Sequence, residues 1–105
     1  MKSKLVRDLI PAIIRETGKY PVTHIAVGEE AKAATIAKVR EEIGEFADDP
    51  SLEEAADIYH AFMALLSAHY FTFDDVIAAA VKKAGECGRF HDMIVLDEVL
   101  DEEKV

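Results

Sequence analysis

Residues 38–57 read KVREEIGEFADDPSLEEAAD and decide how the rest of the chain is interpreted. This stretch contains two pairs of acids at three-residue spacing, Glu42 with Glu45 and Glu54 with Asp57. The turn-forming sequence DDPS separates the pairs, so a helix on one side would fold back on a helix on the other. Carboxylates brought together in this way are the oxygen ligands that a hard divalent cation such as Mg²⁺ prefers. The stretch therefore predicts two packed helices with a metal site between them.

The whole chain has 105 residues, half of them hydrophobic, and a formal net charge of −9 at pH 7. This length predicts a single domain over residues 1–105, with a small core and an incentive to bury more surface by oligomerising. The negative charge argues against binding to nucleic acid or to an anionic membrane, since both need a basic surface.

The composition also indicates a cytoplasmic protein. The single cysteine, Cys87, cannot form a disulfide within the chain, which fits a reducing compartment. No stretch approaches the about 20 apolar residues of a membrane-spanning helix. The opening MKSKLVRDLIPAII resembles a signal peptide in its charge pattern, but Arg7 and Asp8 interrupt the apolar run and no small-residue cleavage site follows.

Apolar periodicity and helix-boundary residues predict the first two helices. A short helix is expected from Pro11, which suits a first turn, to a stop at Gly18. A long helix is expected from Gly28 or Glu29 to about Ala47. Its apolar residues recur at three- and four-residue steps and predict one buried stripe, formed by Ile36, Val39, Ile43 and Phe46.

A second long helix is expected to begin at Asp49-Pro50, with Asp49 as the N-cap, and to run to about His69. If Ser51 is the cap instead, Ser51 and Glu54 form a capping box. This helix is apolar over so much of its girth that a position at the centre of a bundle is expected. The residues of its apolar face are Leu52, Ala55, Tyr59, Phe62, Met63 and Leu66.

The remaining segments predict one more helix and two short strands. Thr72 is a suitable N-cap for a helix that ends at Gly85 or Gly88. Residues 22–27 are rich in β-branched side chains and alternate in part, so a strand is expected there. Residues 93–96 could pair with it, which would place a short β-pair at the periphery of the helices.

The acidic pairs have two interpretations. At about 100° per residue, both pairs flank the expected seam between the helices, whereas Glu41 and Glu53 point more outward. Alternatively, acids in a first helical turn stabilise the helix through its dipole, and Lys38 with Glu42 forms a surface pair. An uncompensated carboxylate cluster beside a core is costly, however, and a bound cation would offset that cost.

At these residues the chain resembles the all-α, MazG-like nucleoside triphosphate pyrophosphohydrolases. EEIGE at 41–45, followed by EAAD at 54–57, is similar to the family's EExxE…ExxD pattern. KLVRDLIPAII at 4–14 is similar to the KLVRDKIPEII-type start of one house-cleaning branch. AGECGRFHDMIVL at 84–96 resembles the ERGGF-like end of the last helix in that branch.

The resemblance implies an all-α helical bundle with a central antiparallel helix hairpin, assembled as a homodimer or homotetramer. It implies cleavage of the α–β bond of nucleoside triphosphates, often damaged or non-standard ones, with Mg²⁺ or Mn²⁺ as cofactor. By match to the motif, Glu41 would support the site or act as the base for the attacking water, and Lys38 would contact a phosphate. The metal ligands would be Glu42, which is thereby also catalytic, Glu45, Glu54 and Asp57.

The chain departs from the family near its end, where Asp92 and Met93 replace expected basic residues. Arg89 would supply the missing charge, and Lys82 and Lys83 are further candidates for substrate binding. Solvated residues near a helix C-terminus are an equally simple explanation for these lysines.

Other features point to structure rather than function. Arg7 and Asp8 match the family's opening, and we favour a local ion pair over a contact with the site. The four histidines lack metal-ligand spacing, so no zinc site is expected, and His60 lies on the polar side of its helix and needs no function. Two other functions remain open: a non-catalytic acidic oligomer that binds metal or protein, and a phosphoribosyl-ATP pyrophosphohydrolase-like activity.

Overall fold

The computed structural model describes residues 3–104, and within that range the chain is helical and has no strand. The prediction of an all-α fold is thus confirmed. The elements are α1 (Ile10–Glu16), α2 (Gly28–Asp48), α3 (Leu52–Ala68), α4 (Phe73–Cys87) and a short 3₁₀ turn at Glu102–Lys104.

The predicted β-pair is wrong. Residues 22–27 and 93–96 both lack strand structure, and Met93 has a φ of +54°, which no strand residue adopts. Val22 and Ile25 are exposed, so they have no packed surface of the kind that makes β-branched residues favourable in a sheet. Propensity indicated a strand at 22–27, but no pairing partner is present among the described residues.

The chain divides into two compact units, the first ending at Phe73 and the second beginning at Asp74. The first unit contains α1, α2 and α3, and α2 packs against α3 within it. The second contains nearly all of α4, which has no buried residue and is followed by Gly88 at a φ of +80°. The single domain over residues 1–105 stays a prediction.

The boundaries of α1 and α2 follow from local chemistry. Pro11 lies in the first turn of α1, where its missing N–H removes no helical hydrogen bond. Gly18, with a φ of +85°, lies just beyond the end of that helix. Helix α2 carries Glu29 and Glu30 in its first turn, and their charge is favourable at the positive end of the helix dipole.

The turn at residues 49–51 joins α2 to α3. Asp49 leaves the helical conformation, with φ −146° and ψ 79°, because the ring of Pro50 disfavours a helical residue before it. Ser51 is the N-cap of α3, and its Oγ accepts a hydrogen bond from the backbone N–H of Glu54 at 3.1 Å. The expected cap at Asp49 is therefore wrong, and the alternative cap at Ser51 is confirmed.

Helix α3 ends in a Schellman motif. The N–H of Phe71 donates to the carbonyl of Leu66 and the N–H of Tyr70 donates to that of Ser67, both at 3.0 Å. The motif requires a left-handed residue after the cap, and Tyr70 adopts it with a φ of +60°. Glycine fills this position in most proteins, so α3 ends with local backbone strain.

The buried residues show which faces of α2 and α3 meet. They are Thr35 and Glu42 on α2, with Ala61 and Leu66 on α3. The Thr35 hydroxyl donates to the carbonyl of Ala31 at 2.8 Å, so it is satisfied within its own helix. The face that α2 turns towards α3 is therefore partly polar.

The predicted apolar stripe of α2 is not buried within this chain, which corrects the core prediction. Ile43 is 52 % exposed, and Ile36 and Phe46 are also exposed. On α3, Tyr59 is half exposed although Leu66 is buried. Among the described residues, α3 is the helix that packs extensively on α2, and it leaves most of the stripe uncovered. Periodicity identifies an apolar face but not what covers it.

No single helix among the described residues is long and apolar enough to cross a membrane.

Candidate metal centre

The packing of α2 on α3 brings acids of both helices together. One carboxylate oxygen from each of Glu42, Glu54 and Asp57 lies within 4.8 Å of the others. On α2 alone, Glu41, Glu42 and Glu45 form a second group with the same spacing. Glu42 belongs to both groups, so it is the residue through which all five acids are connected. Three carboxylate oxygens this close can ligate one hard cation.

Glu42 is the most buried of these acids, with only 6 % of its surface exposed. Its Oε1 lies 3.1 Å from Nζ of Lys38, one turn earlier on α2. Its Oε2 is buried and has no hydrogen-bond partner among the described residues. A buried polar atom without a partner carries a desolvation cost of about 1–3 kcal/mol, and more when it is charged. Glu42 is therefore only half satisfied by the protein itself.

Glu54, on α3, also has a carboxylate oxygen whose hydrogen bonding is not satisfied by the described residues. Its Oε2 is also buried and without a hydrogen-bond partner in the described part of the chain. Burial raises the pKa of Glu54, and the negative charges of Glu45, Asp57 and Glu42 raise it further. The carboxylate form is thus disfavoured because too little positive charge lies near it.

Lys38 is the best-placed positive charge at the centre. Its side chain is 18 % exposed, and Nζ also lies 3.5 Å from Oε1 of Glu41. Burial lowers the pKa of Lys38, but the hydrogen bond to Glu42 and the charges of Glu41 and Glu42 outweigh that effect and raise it. Lys38 therefore remains charged at neutral pH, held against the acids rather than extended towards solvent.

The segment before α1 also reaches the acidic centre. Nη2 of Arg7 lies 2.5 Å from Oδ1 of Asp57, and Nη1 lies 3.1 Å from Nδ1 of His60. Nζ of Lys4 lies 3.6 Å from Oε1 of Glu41. The favoured interpretation of Arg7 as part of a local ion pair is therefore wrong, because its partner is fifty residues away.

The charges at the centre do not balance. Among the described residues, five carboxylates lie in the two groups, and three basic side chains, Lys4, Arg7 and Lys38, pair with them. Two negative charges remain, which is the charge that one divalent cation would neutralise. The donors are all carboxylate oxygens, so they fit Mg²⁺ or Mn²⁺ better than a thiophilic metal.

The structure differs in detail from the site expected from spacing. Glu45 joins Glu41 and Glu42 but does not fall in the 4.8 Å group with Glu54 and Asp57. Glu41, expected to point outward, is half-buried between two lysines. Glu53 is exposed, as expected.

Some residues at the centre were missed by the sequence analysis, and others stay predictions. Lys4 and His60 were not singled out for a role; only the KLVRD opening could have indicated that the segment around Arg7 has one. Three predicted substrate-binding residues belong to the second unit, where they are exposed, and their role is untested: Lys82, Lys83 and Arg89.

Comparisons of the chain with known protein families, with curated proteins and with solved structures find no match. The MazG-like resemblance drawn from the sequence motifs therefore stays a hypothesis. The function of the chain is therefore inferred from the chemistry of its acidic centre.

Proposed function

We propose that this chain is a Mg²⁺-dependent nucleoside triphosphate pyrophosphohydrolase. Water would cleave the α–β phosphoanhydride, giving a nucleoside monophosphate and pyrophosphate. The observation that carries the proposal is the pair of buried carboxylate oxygens, Oε2 of Glu42 and Oε2 of Glu54, that have no partner among the described residues. They lie on two helices that also bring Asp57 within ligand distance.

The proposed roles follow from the geometry and from the motif resemblance together. Glu42, Glu54 and Asp57 would hold the ion, with Glu45 as a further ligand. The ion, Mg²⁺ or Mn²⁺, would neutralise phosphate charge and make a bound water more acidic. Glu41 is proposed as the base for that water, since it shares a ligand group with Glu42.

Binding of a polyanionic substrate to an acidic chain needs local positive charge. Lys38 lies within 3.5 Å of two of the acids and is proposed to contact a phosphate. The proposal extends to Lys82, Lys83 and Arg89 on the grounds of charge and motif position alone. With Lys38 and a bound cation in place, the nucleotide would be bound despite the net charge of −9.

We further propose that the protein acts as a homodimer or homotetramer in the cytoplasm, without nucleic-acid or membrane partners. The exposed apolar stripe of α2 supports an oligomer, since Ile36, Ile43 and Phe46 would be covered by a second copy. The finer fold assignment, a MazG-like bundle with a central antiparallel hairpin, belongs to the same proposal.

The test is release of pyrophosphate from a panel of standard and damaged nucleotides in the presence of Mg²⁺. Glu42→Gln keeps the size of the side chain but removes the charge, and we expect it to lower kcat/KM by about 100-fold or more, since loss of even a residue that only supports a metal ligand costs about 10- to 100-fold. Glu53→Gln is the matched control, because Glu53 is an exposed acid of the first turn of α3. Absence of pyrophosphate from every nucleotide, or equal rates for Glu42→Gln and the wild type, would contradict the proposal.

One observation favours a second candidate, a non-catalytic acidic oligomer that binds metal or protein. Lys4, Arg7 and Lys38 already pair with acids of the centre, as expected of a structural ion-pair network. Mn²⁺ binding without turnover of any nucleotide would support this candidate. Including phosphoribosyl-ATP in the panel tests the related pyrophosphohydrolase activity.

A further inference from the structure

Arg7 joins two side chains of α3 that lie one turn apart. Its Nη2 donates to Oδ1 of Asp57 at 2.5 Å, and its Nη1 lies 3.1 Å from Nδ1 of His60. A guanidinium group has no acceptor, so Nδ1 of His60 is the acceptor of this contact. His60 therefore helps to hold the guanidinium at Asp57.

The position of Arg7 allows it to leave Asp57 without unfolding a helix. Residues 3–9 contain no helix or strand, and the Arg7 side chain is 52 % exposed. The Arg7 backbone is held by a local bond: its carbonyl accepts a hydrogen bond from the N–H of Ile10 at the start of α1, at 3.1 Å. Moving the guanidinium into solvent breaks two side-chain contacts and no regular structure.

Asp57 is also one corner of the three-carboxylate group that contains the unpartnered oxygens of Glu42 and Glu54. A guanidinium bonded to Asp57 places a full positive charge beside the position that a cation would take between these oxygens. Like charges repel at this range, and the repulsion is only partly screened at a half-exposed site. Arg7 and a divalent cation therefore cannot both interact with Asp57 at full strength.

We propose that Arg7 is an intramolecular competitor of the divalent cation, an inference that rests on the proposed metal site. In the metal-free protein Arg7 neutralises Asp57; when an ion binds, the guanidinium moves away from Asp57. The two events are linked by a coupling free energy, so the ion weakens the Arg7–Asp57 pair by the same factor as the pair weakens ion binding. Arg7 thus lowers the metal affinity of the centre.

The test measures binding of Mn²⁺ alone to the full chain, by the electron paramagnetic resonance signal of free Mn²⁺ at low ionic strength. We expect Arg7→Gln to bind Mn²⁺ about 3- to 10-fold more tightly than the wild type. The substitution frees Asp57 from its exposed ion pair and removes a positive charge that repels the cation. Arg7→Lys keeps the charge and should bind like the wild type. Arg15→Gln removes an exposed arginine from the last turn of α1 and should leave the affinity unchanged.

The outcomes separate this inference from the proposed function. If the wild type binds Mn²⁺ and Arg7→Gln binds it equally or more weakly, Arg7 does not compete and the inference is wrong, while the metal site stands. If the wild type binds no Mn²⁺, the metal site fails and the inference fails with it. A second measurement guards against misfolding: Mn²⁺ should raise the Tm of Arg7→Gln more than that of the wild type, because tighter binding stabilises more.

Discussion

Nζ of Lys38 lies 3.1 Å from Oε1 of Glu42, while the other oxygen of the same carboxylate is buried without a hydrogen-bond partner among the described residues. Lys38 thus compensates one oxygen of the buried Glu42 carboxylate, and the other oxygen is left without a partner in the described part of the chain. Ion pairs of this kind contribute little net stability, but removal of one partner is costly because it leaves the other charge buried. The Lys38–Glu42 pair therefore lets the protein fold without metal, and a cation that ligates the second oxygen of Glu42 would stabilise the folded state further.

Lys38→Met should destabilise the metal-free protein by about 2–4 kcal/mol, because it removes the lysine that pairs with Oε1 of Glu42 and leaves that carboxylate buried without its compensating charge. Mg²⁺ should recover part of that loss, and it should stabilise the variant more than the wild type. Urea unfolding with and without Mg²⁺ measures both effects. The control is Lys32→Met on the same helix, whose pair with Glu29 is a surface one and should be worth less than about 1 kcal/mol.

Glu54→Gln should raise the Tm of the metal-free protein at neutral pH. The raised pKa of Glu54 means that the folded state binds a proton more readily than the unfolded state. Stability therefore falls as the pH rises from the ordinary value of 4.5 through the raised pKa, and the penalty is complete above it. Glutamine carries no such penalty at any pH.

The prediction for Glu54 is checked by thermal unfolding in EDTA from pH 4 to pH 7. The advantage of Glu54→Gln should grow with pH, whereas Glu16→Gln, an exposed acid of α1, should show no such trend. Added Mg²⁺ should favour the wild type instead, since a charged carboxylate is a stronger ligand for a divalent cation than a neutral amide oxygen. A constant difference between Glu54→Gln and the wild type across the pH range would contradict the assigned cause.

Ser51→Ala should cost about 1 kcal/mol of stability, the usual value for loss of an N-cap hydrogen bond. The bond runs from the N–H of Glu54, so its loss should also loosen the first turn of α3 and weaken Mn²⁺ binding. Chemical unfolding and Mn²⁺ titration measure the two effects. Ser67→Ala, an exposed serine further along α3, should change neither.

Tyr70→Gly should stabilise the protein by about 0.5–1 kcal/mol. Tyr70 has a φ of +60° and is 90 % exposed, so glycine relieves the strain and loses little packing. Tyr70→Ala removes the same ring but keeps the Cβ atom, and it should bring no gain. Equal stability for the glycine and alanine variants would show that the left-handed backbone is not strained here.

Local features of this chain were predicted well because they depend on neighbouring residues. Pro11 and Gly18 delimit α1, and the starts of α2 and α4 fall at Gly28 and just after Thr72. The cap of α3 was placed two residues early, because Asp49 and Ser51 are both good N-caps and it is the Ser51 Oγ that accepts a hydrogen bond from the Glu54 N–H. Four acids were selected by spacing, and the helix packing places three of them, Glu42, Glu54 and Asp57, together.

Features that need a distant partner were predicted poorly. The β-branched residues at 22–27 predicted a strand, but strands exist only in pairs. The apolar stripe around Ile43 predicted a core, but what covers such a face depends on other elements or other copies. Arg7 and His60 meet at Asp57 across about fifty residues of sequence, and no local pattern records that contact.

By itself, the sequence determined the helical class, most helix boundaries and the identity of the acids that could bind a cation. These properties follow from the backbone preferences of individual residues and from their spacing within a few helical turns, so they depend on local sequence alone. Only the tertiary structure decided that Glu42 is buried, that one of its oxygens has no partner in the described part of the chain, and that Arg7 pairs with Asp57. Burial and pairing are properties of contacts between distant segments, and such contacts exist only once the chain has folded.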